Sequence, residues 1–483
     1  HYDRVNAAIM DVFKNEDMIT RDVILKYSEI HKVCPFELSL DLSFLSDVII
    51  CDYNYVFDPS VYLKRFFDVS AENYVFLIDE AHNLVDRSRE MYSAEIYKSK
   101  LLKYRKLIKD SYPNLSKAFM RCNNMMNRLK REYLREEDFY YQKEEIDAIY
   151  PPIKKLLKEL EEWLIKYKKD QYYDELLDIY FELLRFINIS ELYDSGYVTY
   201  IQKLDEEIIV KLFCVDASYL LQEKLEMGKA SIFFSATLTP LNYYRDILGG
   251  DKKDYLIRFS SPFPRDNLCL LIGDRVSTRY RDRVNTYMEV VAYIEKFIFQ
   301  KKGNYLIFSP SYKYMEAIYK EFVERNPHIK TIKQESDMAE GEREDFLRQF
   351  DSKEKSIIAF AVLGGIFSEG IDLIGDKLVG AVIVGVGLPQ ICHERDIIKD
   401  YFNYENGLGY EYAYMYPGMN KVLQAAGRVI RSEEDRGAIL LIDDRFTTMK
   451  YRKLFPKEWL HFKRARNTED IEKYLSQFWN RPQ

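Results

Sequence analysis

Seven short apolar runs, each ending in small, polar or acidic residues, constrain this chain more than anything else in it: DVIICDYNYVF, NYVFLIDEAH, SIFFSATL, NYLIFSPS, SIIAFAVLGG, AVIVGVGLP and GAILLIDDRF. Their apolar residues are contiguous rather than alternating, which suits strands buried on both faces, and the helical stretches between them suit crossovers. An α/β fold with parallel sheets follows, and its chemistry is expected at the carboxyl ends of the strands.

One block breaks this rhythm. From about Ile96 to Asp205 the chain is charged, rich in tyrosine and helical in period, without a convincing strand, and Pro113 and the Pro151-Pro152 pair divide it into several helices. Strand-like runs resume at EIIVKLFCVDAS, so the block reads as a helical insertion into a first α/β domain. The two prolines of SSPFPRDN mark a second break near Ser261. The expected organisation is residues 1–95 with 206–260 as the first domain, 96–205 as the insertion, and 261–483 as a second α/β domain. With 483 residues, 47% hydrophobic and 31% charged, the chain can bury two or more cores. It has no run of about 18 apolar residues and no basic or apolar leader in its first ten residues, so the expectation is a cytoplasmic protein without a membrane span. A formal charge of -7 argues against coating nucleic acid by bulk attraction, yet a local basic groove can sit within an acidic total.

The acidic turn after NYVFLI carries the first chemistry. Adjacent carboxylates at a strand end can divide two jobs: Asp79 holds hydrated magnesium, and Glu80 reaches a water in line with a γ-phosphate. His82, two residues past Glu80, can report nucleotide state to a neighbouring domain. Far downstream, QAAGRVIRSEEDRG places Gln424, Arg428 and Arg431 at i, i+4 and i+7, which on a helix is one face directed into one cleft. Arginine stays charged and its planar fork meets phosphate oxygens two at a time. Between these lie Ser235 and Thr237 of FFSATLTP, hydroxyls able to sense the acidic turn. Glu369, Gly370 and Asp372 of FSEGIDL are candidates for ribose or arginine contacts. Ser309, Ser311 and Tyr312 of IFSPSYKYM, at a strand end, suit a surface that tracks a nucleic-acid backbone.

The order DEAH, SAT, SEGID and QxxGRxxR resembles superfamily 2 helicases, and the details narrow the resemblance to the iron-sulphur XPD/DinG (Rad3-like) family of DNA helicases. CPFELSLDLSFLSDVIICDYNYVFDP, DEAHNLVDRSREMYSA, SSPFP, VSTRYRDR and QAAGRVIRSEEDRGAILLIDDRF are each similar to that family, and the resemblance covers nearly the whole chain outside the helical block. It implies two RecA-like parallel-sheet domains, with the helical block as an Arch-like insertion in the first. It also implies ATP and Mg2+ as cofactors, a [4Fe-4S] cluster, 5′ to 3′ movement on single-stranded DNA, DNA junctions as partners, a part in DNA repair, and a monomer. Tyr53, Asn54 and Tyr55, at the end of the VIICDYNY run, become candidates for the edge that separates a duplex.

Two features of the family are missing from the sequence. No GxxxxGK[ST] occurs: EMGKASIFF lacks the first glycine, has Ala230 after Lys229, and precedes its strand. Of the four cluster cysteines, Cys34 alone has a counterpart here, the other five cysteines being scattered without a CxxC pair. In the family both missing parts lie upstream, so the expectation is an N-terminally truncated or processed form, inactive alone. Two alternatives stay open: a nucleic-acid-binding scaffold that does not hydrolyse ATP, and the motor half of a larger nuclease-helicase.

Overall fold

The computed structural model describes residues 2–70, 74–351, 356–368, 373 and 375–481. Its strands, in chain order, are β1 (Val75–Ile78), β2 (Ala94–Tyr97), β3 (Phe139–Gln142), β4 (Tyr197–Leu204), β5 (Glu207–Cys214), β6 (Ala230–Phe233), β7 (Leu268–Gly273), β8 (Tyr305–Ser309), β9 (Thr331–Lys333), β10 (Ile358–Val362), β11 (Gly380–Val384), β12 (Gly437–Ile442) and β13 (Lys463–Arg464). They form three sheets.

The carboxyl-terminal half builds a seven-stranded sheet in the order β13-β7-β12-β11-β8-β10-β9, with every neighbouring pair parallel. Both its faces are covered. Leu270, Ile272, Leu306 and Phe308 point into one core with Met419 and Val422, while Cys269, Leu271, Ile307 and Phe360 point into another with Ile294 and Phe322. Burial on both faces is what the contiguous apolar runs require. Because all strands are parallel, their carboxyl ends share one edge of this lobe.

The first lobe is built around a two-stranded parallel sheet, β1 beside β6, in the register Leu77↔Ile232 and Ile78↔Phe233. One face rests on the main core through Ile78, Phe76 and Phe233. The other is open, with Val75 50%, Leu77 65% and Ile232 53% exposed. Three helices, Tyr2–Asn15, Arg21–His31 and Pro35–Ser43, gather around their own small core of Val5, Val12, Tyr27 and Leu38.

Two expectations need correction. The run DVIICDYNYVF forms no strand: residues 47–52 are irregular and the helix Asn54–Phe57 follows, with Val48 74% and Ile50 95% exposed. No described strand lies beside it to supply ladder partners. The block expected to be purely helical contains β3 and β4, which join β2 and β5 in an antiparallel sheet ordered β2-β5-β4-β3. Thus EIIVKLFC pairs with the insertion rather than with β6. The helices expected there are present, Lys98–Ile108, Pro113–Leu129, Tyr150–Lys166 and Tyr173–Ser190. Its prolines start two of them, since a first-turn residue has no intrahelical N–H partner to lose.

The two halves share one core. Ile397, Ile398, Phe402 and Tyr412, from the later half, pack with Phe186, Tyr197, Leu212 and Tyr243. The helix His393–Asn406 is held to the insertion by Glu394, which accepts from Tyr200 Oη at 2.8 Å and from Lys211 Nζ at 2.7 Å, and by His393 stacked on Phe139 at 3.8 Å. Among the described residues no helix is long and apolar enough to cross a membrane.

Candidate active site

Parallel pairing makes β1 and β6 end together, so the acidic turn and the SAT segment leave the sheet side by side. Phe234 N donates to Ile78 O at 3.0 Å, and Ala81 N donates back to Phe234 O at 3.2 Å. Glu80 sits in the left-handed region at φ 45°, a conformation costing a non-glycine residue about 1–2 kcal/mol. Its N–H donates to Asp79 Oδ1 at 2.7 Å. The Tyr53 hydroxyl, from the start of the helix Asn54–Phe57, donates to the carbonyl oxygens of Asp79 and Glu80, the latter at 3.0 Å. Burial, with the charges of Asp79 and Glu80, pushes the Tyr53 phenol up to about 12.

The carboxylate of Glu80 accepts from Ser235 Oγ at 3.1 Å, and Ser235 Oγ lies 2.8 Å from His82 Nδ1. Thr237 Oγ1 is 3.3 Å from the same nitrogen. The other ring nitrogen of His82, Nε2, meets the amide nitrogen Nε2 of Gln424 at 2.5 Å. Gln424 stands on the helix Tyr416–Ala426 of the second lobe, so a polar chain runs from Glu80 through Ser235 and His82 into that lobe. One turn earlier on this helix, buried Asn420 donates from Nδ2 to Thr237 Oγ1 at 2.9 Å and to Tyr244 Oη at 2.9 Å. Asn420 escaped sequence reading; its signal is a polar residue four before Gln424, on the same helix face.

The geometry thus unites Asp79, Glu80, His82, Ser235, Thr237 and Gln424. The expectation of one helical face for Gln424, Arg428 and Arg431 needs correction, because the helix stops at Ala426, Arg428 follows in a turn and Arg431 lies in irregular chain. Arg428 Nε donates to Ser368 O at 3.1 Å, which places it at the end of the GGIFS segment. The Arg431 N–H donates to Asp435 Oδ2 at 2.7 Å and its side chain is exposed. Glu369, Gly370 and Asp372 lie outside the described residues. Ser309 is fully buried, so its hydroxyl reaches no surface. Ser311 caps the helix Tyr312–Arg325 by accepting from Tyr314 N at 3.3 Å, and Tyr312 beside it is 38% exposed. Asn54 and Tyr55 are half-buried on their short helix.

Behind the acidic turn, the helix Leu84–Met91 is also tied to the second lobe. Asp86 accepts from Arg89 Nη1 at 3.0 Å and from Arg395 Nη2 at 3.3 Å. A cavity of about 490 Å³ opens there, lined by Asp86, Arg89, Lys211 and Arg395 among others but by none of Asp79, Glu80 or Gln424.

A magnesium ion bound with a nucleotide takes one or two protein carboxylates and completes its shell with water and phosphate oxygens, a requirement Asp79 meets. Among the described residues no four thiolates are grouped to hold a cluster. Cys34 is exposed at the start of the helix Pro35–Ser43, Cys51 is exposed elsewhere, and among the described residues no three His, Cys, Asp or Glu side chains are grouped to hold a metal.

Residues 3–101 match the DEAD_2 family model and residues 294–462 match the model of a helicase C-terminal domain. Over 466 residues the chain is 24% identical to the ATP-dependent DNA helicase XPD of Sulfolobus acidocaldarius, covering 94% of this chain and 79% of that protein. It is 24% identical to the ATP-dependent DNA helicase CHL1 of Eremothecium gossypii, covering 92% of this chain but 61% of the relative. It is 22% identical to the XPD/RAD3 helicase subunit of general transcription and DNA repair factor IIH from Saccharomyces cerevisiae, covering 99% and 71%. The chain therefore spans less than two thirds of the CHL1 relative. Among solved structures, an XPD helicase superposes with a TM-score of 0.63 at 20% identity, covering 93% of this chain and 79% of that one, which supports two RecA-like lobes.

Proposed function

The chain belongs to the XPD/Rad3-like helicase family, and on that premise we propose that it is the motor part of an ATP-dependent DNA helicase that moves 5′ to 3′ along single-stranded DNA. The observation that carries the proposal is the polar chain Glu80–Ser235–His82–Gln424, which crosses from one lobe to the other. Such a chain has a use in a machine whose lobes must register the state of the acidic turn. It is not needed to hold two lobes that already share an apolar core.

In this reading Mg·ATP supplies the phosphoryl group to be transferred, and the protein contributes position and charge. Asp79 holds the metal. Glu80, fixed by Ser235, orients the attacking water, and His82 relays the position of that carboxylate to Gln424. Arg428 and Arg431 stabilise charge as it develops on the γ-phosphate, a contribution worth about three to five orders of magnitude in related systems. No GxxxxGK[ST] loop to grip the phosphates occurs in residues 1–483. Single-stranded DNA lies across both lobes, with Ser311, Tyr312, Asn54 and Tyr55 as contact candidates, and its binding weakens steeply with salt. DNA junctions, a cytoplasmic location and a monomeric state complete the proposal.

ATP hydrolysis, measured with and without single-stranded DNA on residues 1–483 and on the complete gene product, tests it. DNA-stimulated hydrolysis by the complete product alone is the expected result. Hydrolysis by neither would favour a non-hydrolysing scaffold.

A further inference from the structure

Tyr53 faces the acidic turn in a way that the sequence does not disclose. We propose that Tyr53 is a positioning residue for Glu80: its hydroxyl clamps the backbone of the Asp79–Glu80 turn and so keeps the catalytic carboxylate in line. This rests on the proposed function, because the role belongs to the same reaction.

Three observations meet at this point. Glu80 is a non-glycine residue at φ 45°, and such a conformation persists only where its surroundings over-determine it. Its amide is occupied by Asp79 Oδ1, its carboxylate by Ser235 Oγ, and its carbonyl accepts from Asn83 N at 2.9 Å, which leaves the carbonyl of Asp79 as the remaining point of control. Both carbonyls are reached by one group, the Tyr53 hydroxyl. That group has a single proton, shared between neighbouring acceptors, so it fixes their relative orientation as well as their position.

Tyr53 is itself anchored. Its carbonyl accepts from Phe57 N at 2.9 Å and Val56 N at 3.0 Å, and its ring packs against the main core that also holds Phe57 and Ala81. The hydroxyl is therefore carried by a fixed element rather than by a free side chain. It joins the segment 45–57, where Asn54 and Tyr55 are proposed to meet nucleic acid, to the residue proposed to orient water. Loss of the hydroxyl frees the turn to relax from its left-handed conformation, and the carboxylate then moves off line while its chemistry is unchanged.

The test compares the complete gene product with its Tyr53→Phe variant. We expect kcat for DNA-stimulated ATP hydrolysis to fall by about tenfold to a hundredfold, the scale of an ångström-sized misplacement, with the KM for ATP and the thermal midpoint unchanged. Combining Tyr53→Phe with Glu80→Gln is expected to lower kcat no further than Glu80→Gln alone, because both act through one carboxylate. A Tyr53→Phe enzyme with unaltered kcat overturns this inference and leaves the helicase reading standing, as does an additive double variant. Absence of hydrolysis in the unsubstituted complete product overturns both.

Discussion

Replacing Gln424 by leucine isolates the contact that crosses the cleft. Gln424 is 8% exposed, and its Oε1 is buried without a hydrogen-bond partner. Removing an unsatisfied buried oxygen returns about 1–3 kcal/mol, while depriving the buried His82 nitrogen of this amide costs about the same. Leucine keeps the volume, so the terms nearly cancel and stability should change by less than about 1 kcal/mol. For a chain of this size that is a shift of the thermal midpoint of about 1 °C. Function is affected differently, because the Glu80–Ser235–His82 chain then ends inside the first lobe. The expected result in the complete gene product is a near-native melting curve, retained affinity for Mg·ATP, and loss of most DNA stimulation of hydrolysis. A cycle with His82→Phe should give a coupling energy of about 1–2 kcal/mol in the hydrolysis rate. Full DNA stimulation in Gln424→Leu would refute the reasoning, as would a midpoint lowered by about 3 °C or more, which would make the amide a structural element instead.

Asp443, fully buried, accepts from both Thr278 and the Arg445 guanidinium; burial alone would raise its carboxyl, but the hydrogen bonds and charge of Arg445 outweigh this and hold it below the ordinary carboxylate range. A depressed folded-state value means its stabilisation is complete above the unfolded value, about 4, and is lost as pH falls below it, so thermal melts of Asp443→Asn and the parent should converge in acid and differ by about 3–5 kcal/mol at pH 7. Leu77→Thr with Ile232→Thr, on the open face of β1 and β6, should leave the stability of residues 1–483 within about 0.5 kcal/mol of the parent and reduce binding of a hydrophobic dye. A large destabilisation there would show that the face is covered.

The sequence made these strands legible through contiguous apolar runs: VFLI, SIF, YLIFS, IAFAV, AVIV and AILLI lie in β1, β6, β8, β10, β11 and β12. It failed where the fold departs from that pattern. VIIC is as apolar as any of them, yet apolarity signals a strand only when partner strands exist beside it, and none of the described ones does. β3 and β4, FYYQ and YVTYIQKL, were hidden because an insertion sheet lined by tyrosine and threonine lacks contiguous aliphatic residues, and their pairing is long-range. At the site, the residue types and order of Asp79, Glu80, His82, Ser235 and Gln424 were readable, since each chemistry demands its side chain. The link between His82 and Gln424 was not, because 342 positions separate the two residues. The helix end at Ala426 was concealed as well: Gly427 weakens a helix without dictating where it stops. Tyr53 was singled out as a candidate for the edge that separates a duplex, while the reach of its hydroxyl to the Asp79–Glu80 turn was not readable.

The most direct test of the account is ATP turnover by the complete gene product carrying Glu80→Gln, measured beside its affinity for single-stranded DNA. The account predicts unchanged DNA binding and hydrolysis reduced by at least about a hundredfold, the contribution expected of a group that positions and deprotonates water. Hydrolysis at the unsubstituted rate would contradict it.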